Sequence, residues 1–289
     1  MRARTMFAWR SSFRYAKNLN PVKIGPQTNR SSAISSSNED TILVRGRDLC
    51  GDLIGHVTFT DHTWLLVTGR MPNDAQRRVL DATLVAIAEH GLVPSVQASR
   101  MTLAAAPEAL QGAVAAGILG CGSVILGATQ NAGQLLHEVV TRAAAGSLDS
   151  AAKEVVEEYR RAQRAIPGYG HPLHKTADPR VVRLFEVSAA IGCRGRHIEA
   201  AHAIERVLPA ATGKQLAMNV SVAIPAVLLD AEFPLAALKG VPILARSAGL
   251  IAHLLEEQSR PIGFVLSHAG AAAVDYDGPA PAGFVARDQ

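Results

Sequence analysis

The 289-residue sequence predicts an all-α fold. Apolar residues make up 48% of the chain but aromatic residues only 4%, so Ala, Leu, Val and Ile must build the core, which favours packed helices. Apolar side chains recur at helical spacing, and the alternation typical of β-strands is nearly absent. No repeat or linker divides residues 41–277, so we expect one domain there, followed by a flexible tail over residues 278–289.

The first 40 residues have the composition of a disordered leader. Residues 1–38 hold seven basic residues and no acidic one, and they contain a serine-rich run. Such a segment cannot bury enough apolar surface to fold. Two origins fit it: a mitochondrial transit peptide, which implies the matrix, or an over-extended start, which implies the cytoplasm. An apolar stretch of about 7–15 residues is missing, which disfavours a secretory signal.

Composition argues against three classes of partner. Without residues 1–38 the chain has 22 basic and 25 acidic residues, so the net charge of +4 gives no support for nucleic-acid binding. Cys50, Cys121 and Cys193 are far apart and predict small buried side chains rather than disulfides or a metal site. The longest uncharged run, residues 109–133, is rich in glycine and suits helix packing better than a membrane span.

Capping residues mark the helices in the first half of the domain. Residues 41–57 are expected to be extended or in turns. Four helices then follow, each beginning at a polar residue or at proline, as helix N-termini prefer. Their boundaries are Thr60 or Asp61 to Gly69, Pro72 and Asn73 to Gly91, Pro94 and Ser95 onward, and Pro107 onward. The second of them has an apolar stripe formed by Leu80, Leu84 and Ile87.

The second half of the domain is predicted to be helical as well. A glycine-rich helical pair runs to about residue 145, and a charged helix with an exposed face covers residues 149–164. Four further helices are predicted over residues 179–192, 196–208, 213–230 and 240–257. From residue 264 onward the sequence becomes rich in glycine and proline, so we expect it to trail over the surface.

A tight loop that leads into a helix lies between residues 168 and 180. Gly168 and Gly170 allow backbone conformations that are closed to other residues. Asp178 is a suitable N-cap, and Pro179 suits the first helical position. The sequence therefore predicts a fixed loop directly before a helix N-terminus.

Two side chains give this loop a chemical interpretation. Arg180 falls in the first helical turn, where the helix dipole disfavours a cation. A bound anion would resolve that conflict, since Arg180 and the free N–H groups would both point at it. His171 can donate a hydrogen bond to a nearby carbonyl or exchange a proton with it. The alternative is a surface loop whose Arg and His are simply solvated.

The same loop resembles the signature of the citrate synthase superfamily. Residues 168–180 read GYGHPLHKTADPR, and the superfamily's loop reads roughly Gly, aromatic, Gly, His, then a basic residue and threonine, then Asp-Pro-Arg. Further agreement, in the same order along the chain, lies at Glu89-His90-Gly91, Asn219-Val220, Ala245-Arg246-Ser247-Ala248-Gly249 and Ala252-His253. In length and motifs the chain is most similar to the citryl-CoA lyase group, which includes the C-terminal module of ATP-citrate lyase.

This resemblance implies an all-helical fold with a large helical domain and a smaller helical subdomain, and with the active site between them. It implies coenzyme A as the acyl-CoA substrate, an oxo or hydroxy acid as the second small molecule, and no metal ion. It also implies a homodimer or a higher homo-oligomer, without nucleic-acid or membrane partners.

The resemblance further assigns roles at the substrate. His171 would hydrogen-bond the oxaloacetate carbonyl or the matching hydroxyl of citryl-CoA, and His90 would be a second hydrogen-bonding group. Arg180 and Arg246 would hold the substrate carboxylates, because guanidinium groups pair bidentately with carboxylates. Other readings stay open, since His90 also suits a helix C-cap and Arg246 an ordinary buried ion pair.

Two assignments lie outside this substrate set. The backbone expected against the adenine end of CoA is that of Ile166, Pro167, Gly168, Tyr169 and Gly170. Arg260 is the nearest candidate for a carboxylate-binding arginine that the superfamily takes from a partner subunit, although its spacing from Arg246 is shorter than usual. His253 has no implied role and is expected to pack.

Two catalytic positions of a synthase are changed in this sequence. Ile125 stands where the resemblance implies a His that hydrogen-bonds the acetyl-CoA enolate, and Ser221 stands where it implies the Asp that removes the methyl proton. Serine is a very poor base at neutral pH, and general acid–base catalysis contributes about 10²–10⁴-fold. A water held by Ser221, or His90, is a candidate replacement.

These changes favour cleavage over condensation. Cleavage needs a base for the substrate hydroxyl, a role for His171, and a proton for the departing enolate, which water can supply. Condensation must remove a weakly acidic methyl proton with a well-placed base. We therefore predict a CoA-dependent carbon–carbon lyase that acts on citryl-CoA or a similar 3-hydroxyacyl-CoA. The alternatives are a citrate synthase-type acyltransferase and a non-catalytic binder of CoA or dicarboxylates.

Overall fold

The computed structural model describes residues 30–122, 126–170 and 178–284 and is dominated by helices. A small antiparallel sheet comes first, with strands β1 (Ser35–Ser37), β2 (Ile42–Val44) and β3 (Arg47–Asp48). The helices are α1 (Phe59–Thr68), α2 (Asp74–Ala88), α3 (Pro94–Ala105), α4 (Leu110–Leu119), α5 (Gly127–Arg142), α6 (Leu148–Arg161), α7 (Pro179–Ala190), α8 (Arg196–Thr212), α9 (Val220–Asp230), α10 (Gly240–Ser259) and α11 (Gly263–Ala272). The prediction of a helical fold is confirmed.

Local capping explains several of the boundaries. Asn73 caps α2 as predicted, and its side chain accepts a hydrogen bond from the N–H of Gln76. Gly69 ends α1 in the left-handed conformation, with φ of 78°. The predicted N-cap of α1 was wrong, because Thr58 caps the helix and Asp61 is its partner three residues into it.

Serine residues assigned to the leader take part in the small sheet. Ser36 pairs with Leu43, so β1 extends the sheet that β2 and β3 form. The side chains of β1 are exposed, and backbone hydrogen bonds rather than apolar burial hold the strand. A prediction based on hydrophobic composition therefore misses it. Residues 1–29 of the expected leader lie outside the described residues.

Two further expectations were wrong for reasons that lie in the tertiary or turn structure. Pro107 does not begin a helix: the Ala109 N–H donates to the Ala106 carbonyl, a turn in which Pro occupies its preferred second position. The segment expected to trail from residue 264 contains α11. The buried carboxylate of Glu257 accepts hydrogen bonds from the N–H groups at the start of that helix, and such a distant cap has no local sequence signal.

Helix α9 lies at the centre of the main hydrophobic core. Its residues 222–229 are all buried, and it packs against α2, α5, α7 and α8. A smaller cluster of Leu103, Ala113 and Leu254 joins α3, α4 and α10. Helix α2 therefore contacts elements of both cores, because it also packs against α10.

The crossing of α10 over the end of α2 is unusually close. A Cβ atom on Gly249 would lie 2.0 Å from the carbonyl oxygen of Ala88, so only glycine fits there without movement. This contact brings the C-terminal end of α2 against the middle of α10. Residues at the C-terminal end of α2 and in the middle of α10 therefore lie close together.

Two composition-based expectations can be compared with these helices. Of the described residues, the segment over residues 235–259 is long and apolar enough to cross a membrane, with a mean hydropathy of 1.4. One face of that segment's main helix, α10, packs against α2, α3 and α4. All three cysteines are free, but Cys50 is exposed, contrary to the prediction that each is buried.

Candidate functional site

Residues 168–170 are held against the start of α9. Gly168 has a φ of +88°, and a Cβ there would lie 2.4 Å from the Cβ of Val222. The N–H of Asn219 donates to the carbonyl of Gly168 at 2.9 Å, and the N–H of Gly170 donates to that of Ala217 at 2.8 Å. Both predicted glycines therefore have positive φ, and the peptide groups around them are largely engaged.

The other residues predicted for CoA contact are mostly buried. Ile166 is 9% exposed and Tyr169 is 8% exposed. The hydroxyl of Tyr169 donates to the carbonyl of Ala201 at 2.8 Å, and burial raises the pKa of this phenol. Pro167 is half-buried, and Ile166 packs in the main hydrophobic core.

Asp178 neutralises the arginine that follows it. Its carboxylate caps α7 through the N–H of Arg180 and accepts from that guanidinium, with Nε at 3.0 Å and Nη2 at 2.8 Å. The other helix that begins here, α9, is tied to the same carboxylate through the N–H of Val220 at 3.1 Å. Burial raises the pKa of Asp178, but the hydrogen bonds from Arg180 outweigh it and hold the pKa below its ordinary value. The N-cap itself thus resolves the conflict for which we had expected a bound anion.

Arg246, on α10, is in the opposite situation. This residue is only 4% exposed, yet its Nε and Nη1 atoms have no hydrogen-bond partner among the residues that the structure describes. The ordinary buried ion pair considered from the sequence is therefore not found in that part of the chain. An unpaired buried charge is costly, so this guanidinium indicates a place for an anion.

His90 lies in the electrostatic field of both arginines. It follows Glu89, the C-cap of α2, so it is not itself the cap. Burial lowers the pKa of His90, and the positive charges of Arg180 and Arg246 lower it further against smaller opposing effects of Asp178 and Glu89. The structure therefore brings these three predicted residues into one region and keeps the imidazole neutral at neutral pH.

The site contains two polar residues that sequence reasoning missed. Burial raises the pKa of the Cys121 thiol, while the nearby charge of Arg246 and the nearby Ser95 hydroxyl oppose the rise, so both residues lie beside the thiol. Ser95 is 2% exposed, and its hydroxyl, like Nε and Nη1 of Arg246, has no hydrogen-bond partner within the described ranges. Nothing in the sequence distinguishes this serine from other helix-initiating serines.

The remaining predicted residues are located differently. Ser221 lies in the first turn of α9, where its N–H donates to the side chain of Asn219 at 2.9 Å. Arg260 lies at the far end of α10, ~21 Å along the helix from Arg246, and its side chain is 81% exposed. It does not reach the site of its own chain, and its predicted role in a partner subunit stays a prediction. His171 and Ile125 lie outside the described residues.

A separate cleft of about 530 Å³ lies between α7 and α8. Asp178 is among its lining residues, and both apolar and charged side chains line it. The described residues that line it are Asp178, Val181, Val182, Phe185, Glu186, Ala189, Arg194, Ile198, His202, Glu205, Ala217 and Met218. Across the described ranges no cluster of three His, Cys, Asp or Glu side chains could hold a metal ion.

Comparison with known proteins identifies the family to which the chain belongs. Residues 73–263 match the C-terminal domain of citrate synthase, which is well over half of the chain. The chain belongs to the citrate synthase family. The match spans α2 to the start of α11 and includes every described residue of the His90, Arg180 and Arg246 site.

Individual relatives in this family differ in length and chemistry. The citryl-CoA lyase from Hydrogenobacter thermophilus superposes with a TM-score of 0.78 at 30% identity, covering 88% of this chain and 97% of that one. A citrate synthase from Acidithiobacillus ferridurans is 29% identical over 202 residues, 66% of this chain and 50% of its own length, so the chain spans about half of that enzyme. The ATP citrate lyase from Methanothrix soehngenii, solved with citrate and coenzyme A, shares the fold at 22% identity and a TM-score of 0.71, covering 89% of this chain and 43% of that one.

Proposed function

We propose that this protein cleaves a carbon–carbon bond of citryl-CoA, or of a similar 3-hydroxyacyl-CoA, to give acetyl-CoA and oxaloacetate. The unpaired guanidinium of Arg246 is the observation that carries the proposal. A carboxylate of the substrate would supply the missing anion and hydrogen-bond acceptors in a site already shielded from water.

Arg180 would hold a second carboxylate of the same substrate. Its Nε and Nη2 atoms are bonded to Asp178, which fixes the plane of the guanidinium, and Nη1 has no hydrogen bond to the described residues and would face the ligand. Together with Arg246 it would orient a dicarboxylate or tricarboxylate from two sides. Such pre-positioning accounts for much of the barrier reduction in reactions of bound substrates.

The proton inventory favours a lyase. The base takes the proton of the substrate hydroxyl, the carbonyl of oxaloacetate forms as the carbon–carbon bond breaks, and the acetyl-CoA enolate then takes a proton from water. The neutral imidazole of His90 is in the right state to accept a proton or a hydrogen bond, and His171 is the second candidate. Ser221 offers no carboxylate, which disfavours enolisation of acetyl-CoA.

Coenzyme A would reach this site as the thioester, with the backbone of residues 166–170 near its adenine end. A homodimer is part of the proposal, since Arg260 can serve a substrate only in another subunit. Large exposed apolar residues on neighbouring helices fit burial by that second copy, among them Leu119, Leu255 and Phe264. These features follow the family pattern and await their own measurements.

The fate of the thioester separates the two candidate reactions. We would incubate purified protein with citryl-CoA and identify the products by mass spectrometry. A lyase gives acetyl-CoA and oxaloacetate with the thioester intact, whereas a synthase gives citrate and free CoA. Production of free CoA from acetyl-CoA and oxaloacetate would replace our proposal with a citrate synthase-type reaction.

Site variants and ligand binding complete the test. His171→Ala and Arg180→Ala are both expected to lose turnover, and activity that survives both would contradict the site assignment. Thermal stabilisation by oxaloacetate or CoA without any turnover would instead indicate a non-catalytic binder.

A further inference from the structure

A chain of side-chain contacts begins at the buried Arg100 on α3. This side chain is 2% exposed, and its Nε atom donates to Glu257 at 2.6 Å. Its Nη1 atom donates to Glu256 at 2.8 Å, and its Nη2 atom donates to the carbonyl of Arg260 at 3.1 Å. Four groups of α10 therefore hold this guanidinium, counting the histidine described next, and fix its direction.

His253 connects that arginine to the end of α2. Its Nδ1 atom lies 3.3 Å from Nη1 of Arg100, and its Nε2 atom lies 2.9 Å from the Oε2 atom of Glu89. A guanidinium only donates hydrogen bonds, so Nδ1 must accept and the proton must lie on Nε2, facing the carboxylate. The two neighbours thus select one tautomer of His253, which the sequence assigned to packing.

The carboxylate of Glu89 joins His253 to the backbone of Gly91, the residue that follows His90. While Oε2 faces His253, the Oε1 atom accepts a hydrogen bond from the N–H of Gly91. His90 is the residue enclosed by this contact. Gly91 has a φ of +68°, so the backbone turns immediately after His90. His90 lies outside any helix, so no helix fixes the direction of its imidazole. The carboxylate is the group that closes this turn.

Distance and charge define this contact, although the side chain of Glu89 is 52% exposed. Burial raises the pKa of Glu89, but the contacts with His253 and the Gly91 N–H outweigh it and keep the pKa below its ordinary value. The His253 side chain is 15% exposed. The same face of α10 carries Arg246, Gly249 and His253, so the proposed substrate-binding arginine lies on the face that contacts the end of α2 and Glu89.

We propose that His253 and Glu89 are positioning residues for His90, held by Arg100. In this arrangement Arg100 fixes His253, the Nε2 atom of His253 lies at ion-pair distance from Glu89, and Glu89 closes the turn that presents the His90 imidazole to the substrate. The kinetic part of this inference rests on the proposed function, but the geometric part does not.

The test compares two variants that differ in one hydrogen bond. His253→Gln keeps a donor near the position of Nε2, whereas His253→Leu fills similar space without a donor. With citryl-CoA we expect kcat to fall about 10–100-fold in His253→Leu with KM nearly unchanged, because a misplaced catalytic group affects the chemical step. His253→Gln should recover kcat to within about threefold of the native enzyme.

A second readout does not require turnover. In protein labelled with ¹³C-histidine, the imidazole resonance of His90, assigned with His90→Gln, reports the surroundings of that ring. We expect it to shift in His253→Leu and to return in His253→Gln. An unchanged His90 resonance in His253→Leu would overturn the positioning role. A native protein that turns over no thioester, but whose His90 resonance shifts as described, would overturn only the proposed function.

A matched control comes from another histidine–carboxylate pair. His197 lies 2.8 Å from Asp230, and its side chain is 16% exposed, close to the value for His253. His197→Leu should lower thermal stability while leaving kcat and the His90 resonance unchanged. If it changes them as strongly as His253→Leu does, the effect is a general loss of stability and the inference is wrong.

Discussion

Two buried arginines, Arg100 packed against α10 and Arg246 within α10, have opposite surroundings. Arg100 is 2% exposed and Arg246 is 4% exposed. Each nitrogen of Arg100 bonds to a group of α10, including the carboxylates of Glu256 and Glu257. Two nitrogens of Arg246 have no partner in the part of the chain that the structure describes. The two arginines therefore do not differ in burial, but they differ in whether their nitrogens have hydrogen-bond partners.

The difference indicates what each arginine is for. A fully paired buried ion is part of the folded structure, and removing it leaves its partners uncompensated. An unpaired one costs free energy in the absence of a ligand and regains it when an anion binds. The pairing of Arg100 fits a role in the fold and in the proposed positioning of His90, and the unpaired state of Arg246 fits the proposed role in substrate binding. Four measurements test this distinction.

The largest effect on stability should come from Arg100→Met. We expect a loss of about 3–5 kcal/mol in the free energy of unfolding, because Glu257 would remain buried without its cation. Urea denaturation followed by circular dichroism measures it. The double variant Arg100→Met/Glu257→Gln should recover part of the loss. A loss below about 1 kcal/mol would mean that the pair is not structural.

Arg246→Met should behave in the reverse way. Removing an unpaired buried charge is expected to leave the ligand-free protein as stable as before, or more stable. Binding of oxaloacetate should weaken by about 2–5 kcal/mol, since a buried charge pair is lost. Calorimetric titration and thermal melting with and without oxaloacetate give both numbers. Unchanged oxaloacetate affinity would remove Arg246 from the binding site.

A smaller effect is expected at the crossing between the two regions. Gly249→Ala would place a Cβ 2.0 Å from the carbonyl of Ala88, so overpacking should cost about 1–3 kcal/mol of stability. Gly270→Ala on α11 is the matched control, because no atom lies within 4 Å of its added Cβ, and it should stabilise by about 0.5–1 kcal/mol. Equal effects of the two changes would contradict the close crossing.

The most subtle measurement is the titration of His90. The charge of Arg246 lowers the pKa of this imidazole, so Arg246→Met should raise the pKa toward its ordinary value. If neutral His90 is the active form, the acidic limb of the pH–rate profile should move to higher pH in this variant. Histidine NMR measures the shift directly. A pKa that stays the same or falls would contradict the electrostatic contact.

Local signals account for what the sequence predicted well. Asn73, Gly69, Asp178 and Pro179 mark helix ends through groups within a few residues of them, and the structure has each at the expected position. The glycines at 168 and 170 likewise have positive φ. The errors arise where the decisive partner is distant. Glu257 caps α11 from another helix, and β1 exists because another strand pairs with it.

The candidate site shows the same division. The resemblance selected His90, Arg180 and Arg246, but it gave the same role to both arginines. In the structure Arg180 pairs with Asp178, which lies only two residues before it in the sequence. Such a short-range pair can be recognised from the sequence. The Arg100–His253–Glu89 contacts join residues more than 150 positions apart, for which one sequence gives no signal.

By itself the sequence determined the helical class, the capped ends of several helices, the fixed loop before α7 and the family signature. These depend on short-range backbone preferences and on motifs that can be read in order along the chain. Only the tertiary structure decided which buried arginine is paired and which is open. That outcome depends on the packing of α10 against α2 and α3, because a buried guanidinium with carboxylate partners is a structural ion pair, whereas one without them is a candidate anion-binding site.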